Sequence, residues 1–284
     1  MKAPNQFTIG MGQLLVEGGE PERNLSRAEA MIQEAAGRGC DLILLPETMD
    51  LGWTHPSALR EAQPVPGLLS ERLAECAVKN QIFVCAGLTE QLGGERYNAA
   101  ILINRQGEIL LKYHKINLLS VELPYYTPGQ HLAVVDTEFG KVGVNICADN
   151  YIDGLPIGHT LARMGAQMIL SPSSWTVDYS IDETHDPYKE KWIKPYSILA
   201  NLYDLVIIGT TSVGYIVGGP YVGKKMVGCS LAVGKNGILA RGVFNEFAGD
   251  LIVAKIAIPE RKERGTAIGE MLKQKGYVFD KVIS

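Results

Sequence analysis

Three side chains capable of covalent chemistry stand directly behind apolar runs. Glu47 follows residues 42–45, Lys115 follows 109–113 and Cys147 follows 142–146. A thiol, a carboxylate and an ammonium are sufficient to attack a carbonyl or nitrile carbon. The thiol is the nucleophile, the carboxylate takes its proton, and the ammonium meets the atom that becomes negative. Singly, each has an ordinary reading: a loop acid, a surface lysine, a packed cysteine. What sets them apart is their shared placement at strand ends, where open α/β folds bind ligands. Cys40, Cys76, Cys85 and Cys229 lie in helical or strand contexts without such neighbours and read as packing.

Elements able to carry these strand ends are legible as an alternation. Residues 7–16 read as a strand, 22–38 as a helix with apolar positions at Leu25, Ala28, Met31, Ile32 and Ala35, and 41–45 as a short strand. A helix over 69–80, a strand over 82–89 and a meander over 98–104 and 109–113 follow. The second half repeats the rhythm: strands 132–136 and 141–147, helix 157–164, strand 167–171, helix 191–203, strand 205–211, a hairpin 227–233 with 238–241, and a last strand 251–256. Two βαβ-rich halves with no linker predict an α/β protein in which two sheets pack between outer helices, a four-layer α-β-β-α sandwich. The chain reads as one domain over 1–284, with 257–284 as a C-terminal extension bearing Arg261, Lys262, Glu263 and Arg264.

Composition narrows the function. The 284 residues are 46% hydrophobic and 20% charged, a globular balance, and the net charge of −4 is wrong for a protein held to phosphates. No apolar run approaches the roughly 20 residues that span a bilayer, and the first ten residues lack a basic start before an apolar stretch, so neither membrane nor secretory leader is expected. Five cysteines without a CxxC pair predict a cytoplasmic thiol protein, with no structural zinc and no disulfide framework. The five scattered histidines give no metal motif, and no cofactor is called for.

The chain resembles the nitrilase superfamily of carbon–nitrogen hydrolases. The resemblance rests on Leu45-Pro46-Glu47, on Tyr113-His114-Lys115-Ile116-Asn117-Leu118, on Gly143-Val144-Asn145-Ile146-Cys147-Ala148-Asp149, and on Glu122 ahead of Pro124-Tyr125-Tyr126-Thr127-Pro128-Gly129. It implies the four-layer fold, a catalytic Glu47, Lys115 and Cys147, a second acid at Glu122, and a homodimer or multiple of dimers whose C-terminal extension is either solvated or crosses to a partner subunit. Three positions depart from the family pattern: Ala148 where an aromatic is usual, Asn150-Tyr151-Ile152-Asp153-Gly154 in place of aromatic-Pro-Glu, and Asn117 where histidine is common. Carbamoyl-amino-acid hydrolases tend to carry arginines after the nucleophile, and none lies between Ala148 and Arg163.

The resemblance implies hydrolysis of a small amide or N-carbamoyl amine through a thioester on Cys147. Nitrile hydrolysis or acyl transfer on the same residues is the alternative, and a silent binding protein is disfavoured by the complete Glu–Lys–Cys set. Glu47 is expected to take the thiol proton, Lys115 and the Ala148 N–H to hold the oxyanion, and Glu122 to position Lys115 or the substrate nitrogen. Lys115 beside the thiol should lower its pKa. Asp149 is either a loop cap or a site-shaping acid, Trp175 and Trp192 are candidate pocket walls, and the acidic segment 176–190 is a solvated loop or a substrate rim.

Overall fold

The computed structural model describes residues 6–260 and 265–277, so the charged residues 261–264 lie outside the described part. The first half runs β1 (Gln6–Gln13), α1 (Pro21–Gly37), β2 (Leu42–Leu44), α2 (Ala58–Glu61), α3 (Leu68–Asn80), β3 (Phe83–Leu92), β4 (Glu95–Ile103) and β5 (Ile109–His114). The second half runs β6 (Val134–Thr137), β7 (Gly140–Val144), α4 (Pro156–Arg163), β8 (Met168–Ser173), β9 (Thr176–Val177), α5 (Glu190–Tyr203) and β10 (Val206–Thr211). It continues through β11 (Val213–Tyr215), β12 (Lys225–Val227), β13 (Leu231–Gly234), β14 (Gly237–Arg241), β15 (Asp250–Ala257) and α6 (Thr266–Gln274).

Two six-stranded sheets result, in the orders β15-β1-β2-β3-β4-β5 and β14-β13-β10-β8-β7-β6. In each, a parallel trio is extended by antiparallel strands, and β15 returns from the second half to pair antiparallel with β1. Strand alternation divides the side chains between layers. Phe7, Ile9, Met11, Leu42, Leu44 and Leu102 meet Val142, Val144 and Met168 of the other sheet in one core. Ile43, Val84, Ile101 and Ile103 face the opposite way, onto Leu25 and Ile32 of α1 and Leu73 and Ala77 of α3. Tyr196 and Leu199 of α5 and Leu161 of α4 cover the second sheet. The expected four layers are therefore present, and among the described residues no helix is long and apolar enough to cross a membrane.

Several boundaries differ from the sequence reading, each for a local reason. The strand predicted over 7–16 stops at Gln13, because the Leu14 N–H turns back to the Gly12 carbonyl (2.8 Å) and Leu15 bridges to Val213. β3 and β4 run on past their expected ends into a hairpin at Gly93-Gly94. The strand predicted over 141–147 ends at Val144, and Cys147–Asn150 is a 3-10 turn. The small sheet β11-β12-β9 and the four-residue α2 were not predicted, being too short to show periodicity.

Candidate active site

The ends of β2, β5 and β7 bring Glu47, Lys115 and Glu122 together, with Cys147 close enough to feel the charges of all three. Glu47 is fixed by its backbone: the Gly87 N–H donates to the Pro46 carbonyl (3.0 Å), the Met49 N–H to the Gly87 carbonyl (2.9 Å), and the Glu47 N–H to the Ser173 carbonyl across the sheets (3.3 Å). Gly87 is required there, because a Cβ would stand 2.5 Å from the Glu47 Cα. Lys115 is held by its N–H on the Asn98 carbonyl (2.8 Å) and by its carbonyl, which accepts from Gly129 (2.8 Å).

Glu47, Lys115 and Glu122 have no exposed side-chain surface. The Lys115 Nζ donates to Glu47 Oε1 (2.7 Å) and to both oxygens of Glu122 (2.8 and 2.9 Å). Glu122 also accepts from Trp53 Nε1 (2.9 Å), Asn98 Nδ2 (3.2 Å) and the Leu119 N–H (2.8 Å), so both its oxygens are occupied. Glu47 Oε1 takes a second bond from Asn98 Nδ2 (2.7 Å), while Glu47 Oε2 is buried with no partner among the described residues. Of the four carboxylate oxygens in the cluster, Glu47 Oε2 alone is left to accept a proton.

The electrostatics follow from burial. Burial lifts the Glu47 carboxyl above its ordinary value, with the Lys115 ammonium opposing and Glu122 adding to the rise. Burial alone would lower Lys115, but Glu122, Glu47 and Cys147 together hold it well above the usual lysine range. For Cys147 the sequence expectation holds for the pull of Lys115 but not for the net direction. Burial and the negative charge of Glu47 push the thiol up, and Lys115 offsets only part of this. A thiol raised in this way gives up its proton less readily than a free cysteine.

The backbone at Cys147 is strained. Cys147 has φ +43°, a left-handed conformation that costs a non-glycine residue on the order of 1–3 kcal/mol and persists only where surroundings hold it. The clamp is visible. Asn145 and Asn150 exchange side-chain bonds (2.8 and 2.9 Å), and Asn150 Nδ2 also donates to Ser171 Oγ (2.9 Å). Asp149 is buried and works as the cap. Its Oδ2 accepts from the Ile146 N–H (2.9 Å) and Tyr113 OH (2.7 Å), and its Oδ1 from the Asn117 N–H (2.9 Å). Since Tyr113 and Asn117 flank Lys115, this carboxylate ties the lysine's loop to the nucleophile's turn, and it is engaged in that rather than free for a substrate. Ala148 occupies the second position of the 3-10 turn, where helical N–H groups lack an intrahelical acceptor.

Trp175 does not line the cavity beside Glu47. It is 1% exposed and stacks on Trp192 with ring centres 4.7 Å apart, behind the neighbouring Ser174. The acidic segment is mostly engaged with itself: Asp178 accepts from Ser180 and Asp182 from Thr184 and His185, as exposed loop turns. Sequence reasoning missed Trp53 and Asn98, which complete the acid cluster, and His55 in the cavity wall. Their signal was only that 53 and 55 closely follow the Glu47 loop and that 98 begins the meander. No group of three or more His, Cys, Asp or Glu that could hold a metal occurs among the described residues.

Known proteins share this arrangement's frame. The profile of the carbon–nitrogen hydrolases matches residues 8–263. A protein named nitrilase from Pyrococcus abyssi is 34% identical over 166 residues, 57% of this chain and 62% of that protein. Omega-amidase NIT2 of Danio rerio is 28% identical over 183 residues, 61% of this chain and 65% of that protein. The match thus spans less than two thirds of either relative's length. A double mutant of the amidase from Nesterenkonia sp. AN1, solved with acrylamide, superimposes with a TM-score of 0.75 at 20% identity, covering 90% of this chain and 92% of that one. At that identity the likeness is one of fold, whereas the profile covers nearly the whole sequence, and on that ground the chain belongs to the carbon–nitrogen hydrolase family.

Proposed function

We propose that the protein hydrolyses the carbon–nitrogen bond of a small amide or N-carbamoyl amine through a thioester on Cys147. The observation that carries this reading is the lone unpartnered oxygen, Glu47 Oε2, in a buried cluster whose other carboxylate oxygens are all bonded. The Cys147 sulfur attacks the carbonyl carbon while Glu47 takes the thiol proton. The carbonyl electron pair moves onto oxygen, where Lys115 and the Ala148 N–H meet it. As the tetrahedral centre collapses, the C–N bond breaks and Glu47 returns the proton to the leaving nitrogen, so ammonia or an amine departs. A water then attacks the thioester carbon, Glu47 takes its proton, and the C–S bond breaks to give the acid and the free thiol.

The raised Glu47 pKa suits this double duty, because a carboxylate that holds a proton more readily also receives one from the thiol more readily. Glu122 acts by holding Lys115, with Trp53 and Asn98 as its supports. The test is a panel of small amides, N-carbamoyl amines and nitriles scored for ammonia release, with Cys147→Ala as the blank. Intact-mass measurement under turnover should find one acyl group on the Cys147 peptide. Release that survives Cys147→Ala, or acyl mass on another residue, would defeat the reading.

A further inference from the structure

A narrow cavity of about 20 Å³ opens beside Glu47, and the composition of its wall bears on the substrate. Trp53, Val213, Val217 and Met226 make most of it apolar, and among the described residues neither lysine nor arginine lines it. We infer that the site selects amides whose acyl part is short, apolar and uncharged, with its far end against the wall formed by His55 and Val217. This rests on the hydrolase reading above.

Of the neighbouring cations, two are paired with carboxylates and two stand over aromatic rings, off the cavity wall. Lys115 is bonded to Glu47 and Glu122, and Lys225 to Glu246. Lys191 lies over the rings of Tyr151 and Trp192 (4.8 and 5.3 Å), and Lys224 over that of Tyr221 (4.6 Å). His55 offers no positive charge either. Its Nδ1 accepts from the Ser57 N–H (3.3 Å), and burial lowers its pKa, opposed in part by Glu61. Its ring is closely fitted, since a Cβ at Gly18 or Gly218 would come within 2.7 or 2.6 Å of Cδ2. The wall's hydroxyls are directed away from a ligand: Ser212 Oγ donates to the Met226 sulfur (2.6 Å) and Ser174 Oγ to the Glu47 carbonyl (3.4 Å). A carboxylate at the far end of the acyl chain would lose its water without gaining a cation, and would share the cavity with Glu47.

Butyramide and succinamate test this directly, because they have the same chain length and differ by a terminal carboxylate. The expected kcat/KM is at least about 100-fold higher for butyramide. Val217 is 52% exposed, so Val217→Lys can hold a cation at the mouth without burying it. That variant should raise the succinamate-to-butyramide ratio by about 10-fold or more with an unchanged melting curve. Protection of Cys147 against fluoroacetamide should rank the two compounds in the same order without requiring turnover. Succinamate equal to or better than butyramide in the wild type, in turnover or in protection, would overturn the inference, as would a ratio that Val217→Lys leaves unchanged. If neither compound nor any other amide is hydrolysed, the hydrolase reading fails, while the protection ranking still decides the selection.

Discussion

The first sheet carries two clusters in which a buried carboxylate meets a lysine. In one, Glu90 meets Lys112 Nζ (2.5 Å) and His114 Nε2 (2.6 Å); in the other, Glu47 meets Lys115. Both carboxylates are fully buried. Yet burial raises Glu47, whereas at Glu90 the bonds from His114 and Lys112 overcome burial and bring the carboxyl below its ordinary value. The difference is one of stoichiometry and access. Glu90 has two donors, one on each oxygen, and their side chains are 29% and 19% exposed. Glu47 shares a single ammonium with Glu122 and keeps one oxygen without a bond among the described residues. A satisfied carboxylate is structural; a buried one held short of a partner is able to take a proton.

Four substitutions would break or sharpen that contrast. Glu47→Gln keeps the acceptor for Lys115 and Asn98 but cannot take a proton, so kcat should fall by about 10²–10⁴-fold with the melting curve retained. Lys115→Ala should lower activity by about 100-fold or more and also cost about 3–5 kcal/mol, because two buried carboxylates lose the ammonium they share. Lys112→Ala, at the comparison cluster, should cost only about 1–3 kcal/mol, since His114 remains on Glu90. Chemical denaturation of the two variants reads both numbers, and equal losses would dissolve the contrast. Gly87→Ala forces the Glu47 loop to move and should lower kcat by about 10-fold or more while leaving KM less affected.

The smallest effect concerns pH. Because the folded Glu90 pKa is depressed, its contribution to stability is present above the unfolded carboxylate pKa and is lost as pH falls through the folded value. Glu90→Gln should therefore destabilise at neutral pH, converge on the wild type in acid, and leave turnover within about 3-fold. Glu47 has the opposite sign: its raised pKa places the acid limb of kcat/KM above the ordinary carboxylate range near 4.5.

The sequence made the layered fold legible because period-2 and period-3.6 patterns report which faces are buried, and Ile43 against Leu42 and Leu44 shows how cleanly. It also brought Glu47, Lys115, Cys147 and Glu122 forward as strand-end and motif residues. Three things were hidden. The direction of the Cys147 shift depends on how much water the fold removes, which local neighbours do not encode. Trp53 and Asn98 act only once β4 and the Glu47 loop are adjacent in space. Asp149 looked like either a cap or a site acid, and its three donors, at 113, 117 and 146, come from two separate strand ends. Trp175 is a candidate pocket wall from its place just ahead of the acidic segment 176–190, but its ring stacks on Trp192.

In the proposed reaction the Cys147 thiol is the nucleophile and its proton passes to Glu47 Oε2. The most direct measurement compares wild type and Glu47→Gln by peptide mass under two reagents. Fluoroacetamide carries its own leaving group at carbon and needs no proton delivered to nitrogen, so it should mark Cys147 in both proteins, more slowly in the variant. A hydrolysable amide should leave acyl mass on Cys147 only in the wild type. Acyl mass and ammonia release at the wild-type rate in Glu47→Gln, or first labelling at Cys76 or Cys229, would contradict the account.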